Sequence, residues 1–204
     1  MTSLRHIPTT IADPRAPYLD AARACILDVG WRRTTLTEVA RRAGVSRMTI
    51  YRTWADMPTL LGDLMTREWG EVVAVAVAGV DAELGPTVNA ADQIVARAVA
   101  TVRALRVNEL FVRIVELDPE LLLPYLLTRR GRSQEAIATL TAERLREGQA
   151  DGSVRGGDPV TMARALLLAT HGFVLSAHTM VDDDVSEDDL DRELAHLVRR
   201  VVSR

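Results

Sequence analysis

Residues 35–54, TLTEVARRAGVSRMTIYRTW, leave this chain little choice of local structure: they read as two short helices joined by a tight turn. Thr35, followed three residues later by Glu38, is the pattern of a capping box, in which hydroxyl and carboxylate each satisfy an orphan N–H at a helix start. Leu36, Val39 and Ala40 then form one apolar stripe at helical spacing. Gly44 tolerates the positive φ that ends a helix and stands where the turn must be. Ser46 opens the second helix, with Val45 before it and Ile50 four positions into it, the spacing of a hydrophobic staple. Ile50 and Trp54 face inward together, which leaves Arg47, Met48, Thr49, Tyr51, Arg52 and Thr53 for the outside. A short exposed helix face with so many donors suits the DNA major groove.

Charge points the same way. Between residues 30 and 54 six arginines (Arg32, Arg33, Arg41, Arg42, Arg47 and Arg52) stand against one acid, Glu38. Residues 1–70 hold ten arginines against seven acids, and the remainder fifteen against twenty-one, within an overall charge of −3. A basic head on an acidic body fits phosphate binding confined to one end. All 25 basic residues are arginine, so every phosphate contact would use a guanidinium fork.

In these motifs residues 18–61 resemble the DNA-binding domain of TetR-type transcriptional regulators. The AGVS turn and the TIYRTW run match that pattern in order and spacing without a gap. The resemblance covers the first quarter to third of the chain; beyond it only the helical layout and total length fit. It implies an all-α fold: an N-terminal three-helix helix-turn-helix DNA-binding domain plus a C-terminal helical ligand-binding and dimerisation domain. The expected boundaries are 1–17 for an N-terminal arm, 18–57 for the head and 58–204 for the body. The resemblance also implies a homodimer, typically a repressor released from its double-stranded DNA operator by a small ligand.

Roles carry over by position. Arg47, Met48 and Thr49 occupy the places that meet base edges, where arginine can bind guanine bidentately and a threonine methyl or methionine thioether can meet a thymine methyl. Tyr51 matches a tyrosine whose hydroxyl contacts phosphate. Thr35 matches a phosphate contact at a helix start, where N–H groups and the helix dipole also favour an anion. Ser46 caps the reading helix, and Arg52 and Thr53 are expected at the DNA backbone. Two departures stand out: Thr53-Trp54 replaces the common His-Phe, and Met57 replaces a lysine that often contacts phosphate.

Composition supports a small head and one larger core in 204 residues. Aromatics are scarce, and Ala, Leu and Val favour helices. No apolar run approaches a membrane span and no signal-peptide core opens the chain. The single cysteine, Cys25, lies near the stripe Leu19, Ala22, Ile26 and Val29 and reads as a packed core thiol rather than a redox sensor. A bacterial cytoplasm is the expected setting. Residues 1–17, with three prolines and no periodicity, read as a mobile arm from which Arg5 and Arg15 could reach a minor groove, although a leader without a role fits better.

Further helices are expected from Pro58 through Trp69 toward Gly79, then over 91–105, 108–117, 120–130, 133–149 and from Asp158-Pro159 to about Met180, with a last helix capped by Ser186. In the penultimate helix Ala165, Ala169, Gly172 and Ser176 form a ridge of small residues that lets another helix approach closely. The last carries Leu190, Leu194, Leu197, Val198 and Val201 as an apolar stripe on a charged segment. The resemblance implies that this pair forms the dimer interface, and so a palindromic operator; closing the chain's own core is the other reading of both stripes.

The run Asp182-Asp183-Asp184 through Asp189 places acids near calcium-loop positions, but Glu187 stands where a glycine is required, so helix capping explains it better and no metal is expected. No nucleophile–base constellation or Gly-rich phosphate loop is present, and neither an enzyme nor a cofactor is expected. For the effector cavity that the resemblance implies, the candidates are Trp69, Val73, Val102, Leu110, Phe111, Ile114, Tyr125 and Phe173, with His171 as a polar anchor; ordinary core packing explains most of them equally well. Few charges lie on those faces, which favours a largely apolar effector. A helical interaction protein whose head lacks operator-specific binding is the alternative reading.

Overall fold

The computed structural model describes residues 13–203, and among them every regular element is helical. The chain divides into two compact units between Leu61 and Gly62.

In the first unit, α1 (Ala16–Val29) begins with Pro17 in its first turn and ends at Gly30. The expected arm of residues 1–17 therefore overlaps a helix. Arg15 is held by Asp13 at 3.0 Å; Arg5 lies outside the described residues. Next come α2 (Leu36–Arg42) and α3 (Arg47–Thr53), the pair expected from the caps and turn. Gly44 takes φ +69° between them, a backbone conformation costly for any residue with a Cβ. Leu19, Ala22, Cys25, Ile26, Leu36, Val39, Ala40, Ile50 and Trp54 are all buried. Trp54 meets Tyr18 edge-on, with ring centroids 6.3 Å apart. Burial pushes the Cys25 thiol up, against the opposing influence of the nearby Arg42 guanidinium, so it behaves as a small core hydrophobe.

α4 (Met57–Leu84) starts in this unit and continues into the second, ending at Gly85 with φ +73°. The second unit adds α5 (Ala90–Arg106), α6 (Glu109–Leu117), α7 (Leu123–Leu127), α8 (Arg132–Asp151), α9 (Pro159–Leu175) and α10 (Glu187–Val202). Several starts carry the side-chain caps that their sequences promise. Asn89, Asn108 and Asp158 each accept the N–H three residues on, at 2.9, 2.9 and 3.0 Å. The core draws Ile94, Val95 and Val102 from α5, Ala142 and Leu145 from α8, Met162 and Leu166 from α9, and Leu194, Val198 and Val202 from α10.

Two expected helices are shorter than their patterns suggested. The 120–130 segment splits into a 3-10 turn, Pro119–Leu121, and the five residues of α7, because Pro124 has no N–H to continue a helix through it. The helix from Pro159 stops at Leu175 rather than Met180. There Ser176 and Thr179 close a local turn, with the Thr179 hydroxyl donating to the Ser176 carbonyl at 2.8 Å.

One ionic cluster fastens α10 to α5. Asp191, 2% exposed, accepts Arg103 Nε at 2.5 Å and Arg106 Nη2 at 2.6 Å, and Arg103 also reaches Asp188 at 3.0 Å. Asp191 falls on the same side of α10 as Leu194, Val198 and Val202, so this charge is buried by register.

Candidate nucleic-acid interface

The surface of α3 is prepared at both ends. Ser46 Oγ accepts the Thr49 N–H at 3.1 Å, and the Thr53 hydroxyl donates to the Thr49 carbonyl at 3.1 Å. With its hydrogen committed inside the helix, Thr53 cannot also donate to a phosphate, which weakens the backbone role expected for it. Thr35 differs: its oxygen accepts the Glu38 N–H at 3.2 Å, leaving its O–H free to donate outward. The reciprocal half of the capping box is missing, because the Glu38 carboxylate turns to Arg41 at 3.0 and 2.5 Å.

Those pairings sort the arginines of the head. Arg41 is held by Glu38, Arg42 pairs with Asp28, and Arg33 Nε donates to the Val29 carbonyl at 2.8 Å. Arg47 and Arg52 make no ion pair or hydrogen bond to another described residue, and both are exposed. Met48 is 74% exposed and Tyr51 50%, although both are apolar enough to bury. Ile50 on the opposite side is fully buried. A helix that buries one residue and holds in solvent a phenol, a thioether and two guanidiniums without partners among the described residues can meet a ligand with phosphates and groove-edge acceptors.

Comparison with known proteins bears on this surface. Residues 19–64 match the model of the bacterial regulatory proteins of the tetR family. Over 186 residues, 91% of this chain and 92% of the relative, it is 35% identical to an uncharacterized HTH-type transcriptional regulator, Rv2250c, of Mycobacterium tuberculosis. The chain belongs to the TetR family. It is thus a DNA-binding transcriptional regulator, not an enzyme. Solved TetR-family structures share its fold: the repressor AlkX from a Dietzia strain, implicated in biodegradation of n-alkanes (TM-score 0.67, 17% identity, 93% of this chain and 95% of that one), and the repressor QsdR of R. erythropolis (TM-score 0.64, 18%, 93% and 95%).

In this TetR-family chain the residues expected around an effector differ in burial and partners. Val102 is buried in the main core, and Phe173 packs against the same cluster. Leu110 and Ile114 are fully buried on α6, while Trp69 and Phe111 meet edge-on at 5.5 Å. Val73 is half-buried on α4. Tyr125 and His171 converge on Gln134, whose amide nitrogen lies 3.4 Å from the Tyr125 carbonyl oxygen and 3.3 Å from His171 Nε2. Burial holds the His171 imidazole below its ordinary range. A small groove of about 80 Å³ between α8 and α9, lined by Glu135, Ala138, Thr139, Ala142, Arg146, Val160 and Arg164, shares no residue with that set.

Sequence reasoning passed over two polar groups here. Glu68 is 6% exposed on α4 and accepts Asn108 Nδ2 at 3.0 Å. Gln134 links α7 to α9 and also accepts the Gly131 N–H at 2.8 Å. For Glu68, the signal was available as an acid between the apolar positions Met65 and Trp69.

The stripes expected at a dimer interface divide. Ala165, Ala169, Gly172 and Ser176 are all exposed on one side of α9, with Leu168 beside them at 72%. On α10, Leu197 and Val201 are 51% and 37% exposed and Leu190 is half-buried. Leu194 and Val198 are not available to a partner: they sit inside the chain's own core at 0% and 2%. Their stripe is wider than one contact, and at about 100° per residue it turns part of itself inward and part outward.

Proposed function

We propose that the protein is a homodimeric repressor that holds a palindromic double-stranded DNA operator through two copies of α3 and leaves it when a small, largely apolar effector binds the second unit. The observation that carries this reading is the state of α3, with Arg47 and Arg52 exposed and without partners among the described residues, beside exposed Met48 and Tyr51. Arg47, Met48 and Thr49 read bases, while Tyr51, Arg52, Thr35 and the Ser46-capped helix start hold the backbone. The exposed small-residue face of α9, together with Leu197 and Val201 of α10, supports pairing with a second copy. Two copies present two reading helices, and a twofold axis requires a palindrome.

Apolar residues dominate the expected effector set, which supports an apolar ligand. α4 is the element through which binding would pass, since its first turn belongs to the unit that carries α3 and the rest to the other. A hundredfold loss of operator affinity needs about 2.7 kcal/mol of differential binding, within the usual range of coupling energies. Selection of random duplexes by the purified protein at near-physiological salt tests the operator half. An enriched palindrome supports it, and a folded protein that enriches nothing refutes it. The palindrome then serves as the probe for an effector screen, in which an apolar compound should weaken binding.

A further inference from the structure

Resting on the operator reading above, the side chains of α3 point to what one of its base-edge residues recognises. We infer that Thr49 reads thymine through its γ-methyl group, with its hydroxyl withdrawn from recognition, so that each operator half-site carries a thymine whose C5-methyl is required.

The hydroxyl already makes one hydrogen bond within the helix. Thr49 Oγ1 lies 2.9 Å from Ser46 Oγ, and the same Ser46 oxygen accepts the Thr49 N–H at 3.1 Å. This pair of contacts draws the oxygen back over the first turn of α3. The Thr49 carbonyl is occupied in turn by the Thr53 hydroxyl at 3.1 Å. The hydroxyl keeps a further donor or acceptor site, but the group that it leaves turned away from Ser46 is the methyl, staggered away from the oxygen on the same carbon. Its neighbour Met48 is apolar and 74% exposed, so the first turn of α3 offers one free guanidinium, Arg47, beside apolar groups. In the major groove the apolar feature of a base edge is the thymine C5-methyl, and a group without a free donor or acceptor can read nothing else there. A hydroxyl reader would instead tolerate several bases, since serine and threonine hydroxyls can both give and accept hydrogen bonds.

Deoxyuridine, which lacks only that methyl, is the probe. In the selected operator each thymine is replaced in turn, and affinity is measured for the unaltered protein, Thr49→Val and Thr49→Ser, each first checked by thermal melting. Replacement at one position per half-site should weaken binding about four-fold, the effect of one buried methyl-sized group, and roughly fifteen-fold when both half-sites are changed. Thr49→Val, which keeps the methyl, should retain that sensitivity; Thr49→Ser should bind both duplexes equally. Indifference to uracil at every position overturns the inference alone, as does a Thr49→Ser protein that still discriminates, which would assign the methyl contact to Met48. Failure to enrich any duplex overturns the operator reading, and this inference with it.

Discussion

Arg47 and Arg52 lie on the same short helix with the same charge, yet their losses should differ. Arg47→Ala should lower affinity for the preferred operator by about 1–3 kcal/mol and relax the preference at one base pair. Arg52→Ala should weaken all duplexes alike and reduce the slope of log affinity against log salt by about one unit. Titrations of operator and scrambled duplex at several salt concentrations separate the two, and equal loss of specificity in both would contradict the assignment. His171 offers a different test. Burial lowers its affinity for protons in the folded chain, so the unfolded chain protonates first as pH falls. Stability present above about pH 6.5, the ordinary imidazole value, should therefore be lost between that value and the depressed one. His171→Gln should flatten that part of a stability profile measured by denaturant unfolding; an unchanged profile would mean that the ring titrates normally. The exposed face of α3 was legible because Ile50 and Trp54 define the inside. The commitment of the Thr49 and Thr53 hydroxyls was not, since a hydroxyl's partner depends on its rotamer and not on its place in the sequence.

Helix-turn-helix geometry here rests on interactions a few residues apart, which is why it could be read directly. Gly44→Ala would place a Cβ on a left-handed backbone and should cost about 1–2 kcal/mol, seen as a lower melting temperature with weaker operator binding. The Glu38 carboxylate illustrates the limit of local reading. It had two partners within reach, the Thr35 N–H and Arg41, and the charged partner won. The clamp between α5 and α10 was less visible, because Arg103 and Arg106 meet Asp191 across more than eighty residues. Asp191→Ala should strip Arg106, itself 8% exposed, of its nearer counter-charge, leaving Glu187 at 3.9 Å, and destabilise the chain by up to about 3–5 kcal/mol in urea unfolding. Replacing both as Asp191→Leu with Arg106→Met should recover most of that loss, since an apolar pair avoids the desolvation cost of two ions. A double variant no better than the single one would show that the clamp does more than balance charge.

The proposed dimer depends on which apolar residues folding leaves outside. Leu197→Arg should abolish dimers in sedimentation experiments while leaving helical content and melting behaviour close to those of the parent, and operator affinity should fall steeply. A dimer that survives the change would place the interface elsewhere. Leu194→Arg, one turn away, should instead unfold the second unit, because Leu194 is fully enclosed. Nothing in the spacing of Leu190, Leu194, Leu197, Val198 and Val201 separates these outcomes. All five are apolar at helical intervals, and only the packing of α10 against α5 decides which side each occupies. The two short helices of the helix-turn-helix and the exposed face of α3 were legible from caps, a turn glycine and apolar spacing, all of which act within one or two helical turns. The pairing of Asp191 with two arginines, the burial of Glu68 and the inward turn of Leu194 and Val198 came from contacts between helices distant in the chain, where side-chain packing and desolvation choose among arrangements that the local pattern leaves equivalent.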